Sequence, residues 1–286
     1  MVNQAQGFNW QDYTVHDKVH PNKAGAEKMA TVWFEALKKV LASSETVFSP
    51  EIVRYKTLED GDSLALHIFK PRNMQAGEKR PAIVYFFGGG WKLGSPIQFY
   101  RECAYYASKG MIAVSVDYRI GYLHHSTPFE SFEDAKDAIC WLRSHASDYQ
   151  LDPDKIAVAG GSAGGHLAAA LGTIGSDETV PAGYRPNLSV LYYPVIDMVS
   201  RGYGFPEIKR DFEKISPIHH VSEATPSTLI LLGTKDPIVS VETIEAYQDN
   251  FCRREWIVNS ISLKVPGIRS FYTESRLRKS IIRFES

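Results

Sequence analysis

Cysteine is scarce in this chain. Three residues in 286, Cys103, Cys140 and Cys252, share no metal-ligand spacing. Three thiols are too few for a disulfide framework and read as ordinary buried or half-buried groups. Neither sign of charge is in excess: 32 Lys and Arg stand against 33 Asp and Glu, a net charge of −1. Such a balance offers no footprint for nucleic acid or for an anionic membrane. No apolar run approaches the ~18 residues of a membrane span, and no basic-then-apolar leader opens the chain. The expectation is a soluble protein with neither of those partners, in an unassigned compartment. One further scarcity matters most. The nine histidines are at 16, 20, 67, 124, 125, 145, 166, 219 and 220, and none follows residue 220.

What is present is an ordinary globular composition, 44% hydrophobic and 23% charged, long enough to bury one large core or two modest ones. Ile52–Tyr55 and Leu64–Phe69 flank the turn Glu59–Asp62 and read as a hairpin. Apolar runs then alternate with helical stripes. Strands are expected at Pro81–Phe86, Met111–Val116, Ile156–Ala159, Leu188–Tyr193 and Thr228–Leu232. Helices are expected at Phe99–Lys109, Phe132–Ser147, from His166 onward, and at Val241–Asp249. Nearly continuous apolar strands between helices predict an α/β fold, a mostly parallel sheet with helices on both faces. Sites in such sheets lie at the carboxyl ends of the strands.

Three segments with chemical content fall at those ends. Gly160-Gly161-Ser162-Ala163-Gly164 is G-x-S-x-G between a strand and a helix, a tight turn that exposes the serine as a nucleophile. Its attack on an ester builds charge on the carbonyl oxygen, and the Ala163 N–H is placed to receive it. Gly88-Gly89-Gly90-Trp91 follows another strand, and its glycines let backbone N–H groups approach the same oxyanion. Asp236, after Thr228–Leu232, is placed to orient and charge-balance an imidazole. It also suits a helix N-cap or a turn, and Asp197 is a rival carboxylate. Trp91, His124 and His125 are assigned to the substrate pocket.

The order strand–GGGW, Asp117-Tyr118-Arg119, G-G-S-A-G-G-H-L-A and L-G-T-K-D resembles the α/β-hydrolase superfamily over about residues 50–248. Within it the chain is similar to esterases with an H-G-G-G-W oxyanion loop, the hormone-sensitive-lipase-like group, and to acyl esterases found with polysaccharide-degrading genes. The resemblance implies Ser162 as nucleophile, Asp236 as acid, and Gly88, Gly89, Gly90 and Ala163 as oxyanion hole. It implies an acyl-enzyme route on small esters, acetylated carbohydrate among them, without a metal or organic cofactor. Two positions depart from the pattern: Phe87 replaces the motif's histidine, and Gly161 stands where many relatives carry Asp.

The ends of the chain fit less well. The superfamily order is Ser, then Asp or Glu, then His, yet no histidine follows Asp236. Residues 251–286 carry no family pattern. Reading codons from each third base makes 257–271 compatible with C-E-L-H-L-x-E-G-T-G-H-P-F-F, with a histidine arising across Gly267 and Ile268. A frameshift near 249–252 is therefore expected, leaving 250–286 out of frame. Ser260–Val265 still alternates polar and apolar and is suited to a last edge strand. His219, His220, His124 and His125 are the substitute bases on offer, whereas His166 is expected to pack near the elbow. Residues 1–44 form a separate extension with a helix at Lys23–Leu41. Within it D-K-V-H-P-N-K-A-G-A-E-K-M-A resembles the closing block of SGNH/GDSL hydrolases, whose catalytic Asp and His would map to Asp17 and His20. It is read as a stranded fragment, or as an interaction helix for a partner or a second copy. The leading reading is a serine carboxylesterase impaired by loss of its histidine. The alternative is an inactive ligand-binding protein of the same fold.

Overall fold

The computed structural model describes residues 49–175, 182–198, 211–233, 236–252 and 268–273, together with Ala24 and Thr31. The chain divides into two compact units, Met1–Phe48 and Ser49–Ser286. The boundary expected from the sequence lies at 44/45. In the first unit Ala24 and Thr31 are helical and exposed. Asp17 and His20 lie outside the described residues.

The second unit is built on a sheet of eight strands in the order β1-β2-β4-β3-β5-β6-β7-β8. They span Glu51–Thr57, Ser63–Phe69, Arg80–Phe86, Ile112–Val116, Leu151–Gly161, Leu188–Tyr192, Ser227–Gly233 and Ile268–Thr273. The central pairs β4-β3, β3-β5, β5-β6 and β6-β7 are parallel. The hairpin β1-β2, the β2-β4 pair and the β7-β8 pair are antiparallel. The expected strand Ser260–Val265 lies outside the described residues; the last described strand starts at Ile268, opposite Gly233.

The central strands are apolar because both faces are covered. Every residue of Ile112–Val116 is buried, as is every residue from Ala82 to Phe86. Among the described residues four longer helices accompany the sheet: α1 (Tyr100–Ser108), α2 (Pro128–Ser144), α3 (Ala163–Thr173) and α4 (Val241–Cys252). Side chains alternate along β3. Tyr85 faces α1, with its ring 6.2 Å from that of Tyr106 and stacked at 4.8 Å on Phe99 just before the helix, so Val84 and Phe86 point to the opposite side. Helix α2 begins four residues before its expected start because Thr127 and Glu130 form a capping box. That pairing satisfies two backbone donors at the N-terminus. All eleven residues of α3 are buried, and a helix apolar all round belongs in the core.

The strand order places a switch point between β3 and β5. The chain leaves β3 for β4 on one side, then crosses to β5 on the other. Crevices at such points bind ligands in open α/β sheets. Gly88–Gly90 follow β3 and Ser162 follows β5, so the topology delivers both to the same crevice.

Candidate active site

Strand β5 ends at Gly161 and α3 begins at Ala163, so Ser162 is the turn between them. Its backbone has φ 53° and ψ −119°, a region that side-chain-bearing residues enter at a cost of about 1–3 kcal/mol. Neighbours hold it there. Its N–H donates to the Tyr192 carbonyl at 3.0 Å, and its carbonyl accepts from His166 N–H at 2.9 Å. A Cβ on Gly164 would lie 2.0 Å from the Phe86 carbonyl oxygen. The glycine lets the start of α3 press directly on the end of β3.

That contact brings the loop after β3 beside the serine. A Cβ on Gly88 would sit 2.9 Å from the Gly161 carbonyl and 3.5 Å from Ser162 Cβ. Gly89, Gly90 and Trp91 follow with φ of 139°, 62° and 57°. The Gly89 carbonyl turns into the loop and accepts from Lys92 and Leu93 N–H at 3.1 and 3.2 Å. Among the described residues, the N–H groups of Gly89, Gly90 and Ala163 meet no hydrogen-bond acceptor. Gly88 differs from the sequence expectation: its N–H is donated to Gln98 Oε1 at 2.5 Å and is not open to an oxyanion. Phe87 is buried, stacks on Tyr118 at 4.1 Å, and its carbonyl accepts from Tyr118 Oη at 2.6 Å.

Trp91 requires a correction. It is not a pocket wall but a core residue, 1% exposed, set edge-on to His166. Its indole N–H donates to His166 Nδ1 at 3.3 Å, and His166 Nε2 donates to the Ile215 carbonyl at 2.6 Å. Burial pushes the His166 pKa down to about 4. Both ring nitrogens are committed, as expected for a residue packed beneath the elbow rather than a base.

Among the described residues neither His124 nor His125 hydrogen-bonds Ser162. His124 Nδ1 accepts from Ile120 N–H at 3.0 Å, and Nε2 lies 3.8 Å from Asp62. Its side chain lines a cleft of about 610 Å³ with Lys56–Asp60 and Arg119. His125 is exposed with φ 50°. His219 is exposed, and His220 Nε2 donates to the Glu213 carbonyl at 2.7 Å. Among the described residues no imidazole hydrogen-bonds Ser162 Oγ or the Asp236 carboxylate.

Asp236 lies just past β7, half-buried, with Oδ1 accepting from Ile238 and Val239 N–H at 2.8 and 2.9 Å. The turn role and the orienting role are compatible, since among the described residues Oδ2 accepts no hydrogen bond. Asp197 is half-buried on the loop after β6. Among the described residues no group of three or more His, Cys, Asp and Glu converges as a metal set, and no helix is long and apolar enough to cross a membrane.

Two neighbours of the elbow carried no sequence signal. Gln98 is one. Tyr193 is the other: its φ is 39°, and its hydroxyl lies 2.9 Å from where a Cβ on Gly161 would be. The glycine at 161 therefore makes room for the tyrosine.

The family model described as BD-FAE matches residues 66–210. A thermophilic esterase of Thermogutta terrifontis, solved with propionate bound, is 35% identical at a TM-score of 0.66. The match covers 73% of this chain and 80% of that one. Esterase LipC of Mycobacterium tuberculosis is 28% identical over 66% of this chain. An acetylxylan esterase of Xylanibacter ruminicola is 26% identical over 65% of it and 39% of that protein. The chain spans about half the length of the curated relatives it matches, 52% for LipC and 49% for the probable carboxylic ester hydrolase LipM.

Proposed function

The chain belongs to the BD-FAE family of α/β-hydrolase esterases, and from that premise we propose that it hydrolyses small carboxylic esters through Ser162. One observation carries the reading: a serine held at φ 53° between β5 and α3, beside N–H groups of Gly89, Gly90 and Ala163 that meet no acceptor among the described residues. Ser162 Oγ attacks the ester carbonyl, and charge develops on the carbonyl oxygen. Those N–H groups receive it in a buried setting, where one such donor is worth ~3 kcal/mol of transition-state stabilisation. The carbon–oxygen bond to the alcohol breaks, the serine proton leaves with the alcohol, and water later releases the acid. No step calls for a metal or an organic cofactor. Short acyl groups are supported by the Thermogutta terrifontis esterase, solved with propionate and with butyrate. Acetylated carbohydrate is supported by the acetylxylan esterase match.

The proton needs a base, and Asp236 is proposed as the carboxylate that would orient one. With no described imidazole on Ser162, the level left by the oxyanion site and substrate binding alone, ~10³–10⁴ over water, is the floor of the expected rate. The tail from residue 250 is proposed to be out of frame, the codons of 257–271 being the direct test. The same missing contact favours a second reading, an inactive ligand-binding protein of this fold. Release of p-nitrophenol from short-chain esters by wild type and Ser162→Ala separates the two. A rate present in wild type and lost in the variant supports the esterase, and equal rates eliminate Ser162 chemistry.

A further inference from the structure

Both polar ends of one peptide group in the oxyanion loop are clamped. The peptide between Phe87 and Gly88 offers the Phe87 carbonyl on one side and the Gly88 N–H on the other, since a trans peptide points them apart. Tyr118 Oη donates to that carbonyl at 2.6 Å, and Gln98 Oε1 accepts from that N–H at 2.5 Å. The following residues need such a clamp. Gly88, Gly89 and Gly90 have no side chains to hold their conformation, and glycine crosses freely between positive and negative φ.

Gln98 is firmly mounted for this task. It sits on the 3-10 turn Pro96–Phe99, whose two end residues are buried. Ser115 Oγ on β4 donates to the Pro96 carbonyl at 2.7 Å, and Phe99 stacks on Tyr85. The turn cannot drift without disturbing the sheet, although the Gln98 side chain itself is exposed. The stack of Phe87 on Tyr118 fixes the loop's apolar side but supplies no acceptor for Gly88.

We propose that Gln98 is a positioning residue for ester cleavage: by holding the Gly88 N–H it sets the direction of the Gly89 and Gly90 N–H groups toward the oxyanion. It touches no reacting atom and acts through the peptide plane. The inference rests on the esterase reading above. Its amide oxygen is the working atom, so a residue of similar length without a strong acceptor fails, and one with an acceptor restores the geometry.

The test compares wild type, Gln98→Met and Gln98→Glu. Each is followed by the rate of Ser162 labelling with a fluorophosphonate, by kcat and KM on p-nitrophenyl butyrate, and by hydrogen exchange at the Gly88 amide. A misplaced donor set costs on the order of 10–100-fold in rate. The expected result is that loss in labelling rate and kcat for Gln98→Met, with KM within about twofold, faster Gly88 exchange, and most of the rate recovered in Gln98→Glu. Wild type that labels at Ser162 while Gln98→Met labels equally fast overturns the role of Gln98 and leaves the esterase reading standing. Wild type that does not label at all overturns both. If Gln98→Met fails to fold, Gln98→Ala removes the same acceptor, and an unchanged labelling rate and kcat there also overturn the proposal.

Discussion

The Trp91 indole N–H donates to Nδ1 of His166, and this contact fixes the tautomer of the buried imidazole. With Nδ1 accepting, the ring proton sits on Nε2, where it meets the Ile215 carbonyl. A second proton would have to enter at Nδ1 and break the contact with Trp91. The residue closest in sequence to the elbow among the histidines is thereby spent on structure.

A pH dependence of stability follows. Burial lowers the His166 pKa to about 4, against 6.5 in the unfolded chain. Between those values the unfolded state binds the extra proton, so the contribution is fully present above 6.5 and is lost as pH falls through 4. Urea midpoints measured from pH 7 to 4 should drop for wild type and drop less for His166→Gln, which has no proton to take up.

Asp117 pulls in the other direction. Burial, the largest cause, raises its pKa from 3.8 to about 6. Folding then favours the neutral acid, so its contribution is present below 3.8 and lost as pH rises through about 6. Asp117→Asn keeps an acceptor for the Tyr118 N–H and removes the titration. The variant is expected to gain on wild type between pH 4.5 and pH 8 in paired urea titrations; a constant difference would contradict the assignment.

Asp134 is the pin of the edge beside β1. Its side chain is fully buried and accepts from Arg119 Nε and Nη2 at 2.8 Å each and from Lys56 Nζ at 2.6 Å. Removing a buried charge that compensates two cations costs about 3–5 kcal/mol. Asp134→Ala should therefore lose that amount in chemical denaturation.

Asp236 separates a turn role from a catalytic one. Its Oδ1 caps the N–H groups of Ile238 and Val239, and losing such a cap costs ~1 kcal/mol. Asp236→Asn retains the cap and should match wild type in thermal denaturation, while Asp236→Ala should melt lower. On the proposed reading both lose esterase rate. An Asn variant with full rate would remove Asp236 from the mechanism.

The strands were legible because a sheet covered on both faces demands unbroken apolar runs, and Ile112–Val116 and Ala82–Phe86 are such runs. The elbow was legible because few residues other than glycine fit around so tight a turn. Helix α2 was placed late, although its signal, Thr127 three residues before Glu130, is local. Strand β5 begins at Leu151, five residues before its expected start, because pairing of Leu151 with Arg80 of β3 extends it past the polar stretch Asp152–Lys155. Trp91 was misplaced because an aromatic residue beside a glycine loop looks the same in sequence whether it lines a pocket or fills the core. Its burial depends on His166, 75 positions away.

Sequence alone determined the α/β class, the position of Ser162 at a strand end and the absence of a histidine after Asp236, since all three are written in local pattern and order. Only the tertiary structure decided which N–H groups around Ser162 are open and which are spent. It gave Gly88 to Gln98, Trp91 to His166 and the space at Gly161 to Tyr193. Those assignments depend on contacts between segments far apart in the chain, and hydrogen-bond partners at such separations leave no periodicity to read.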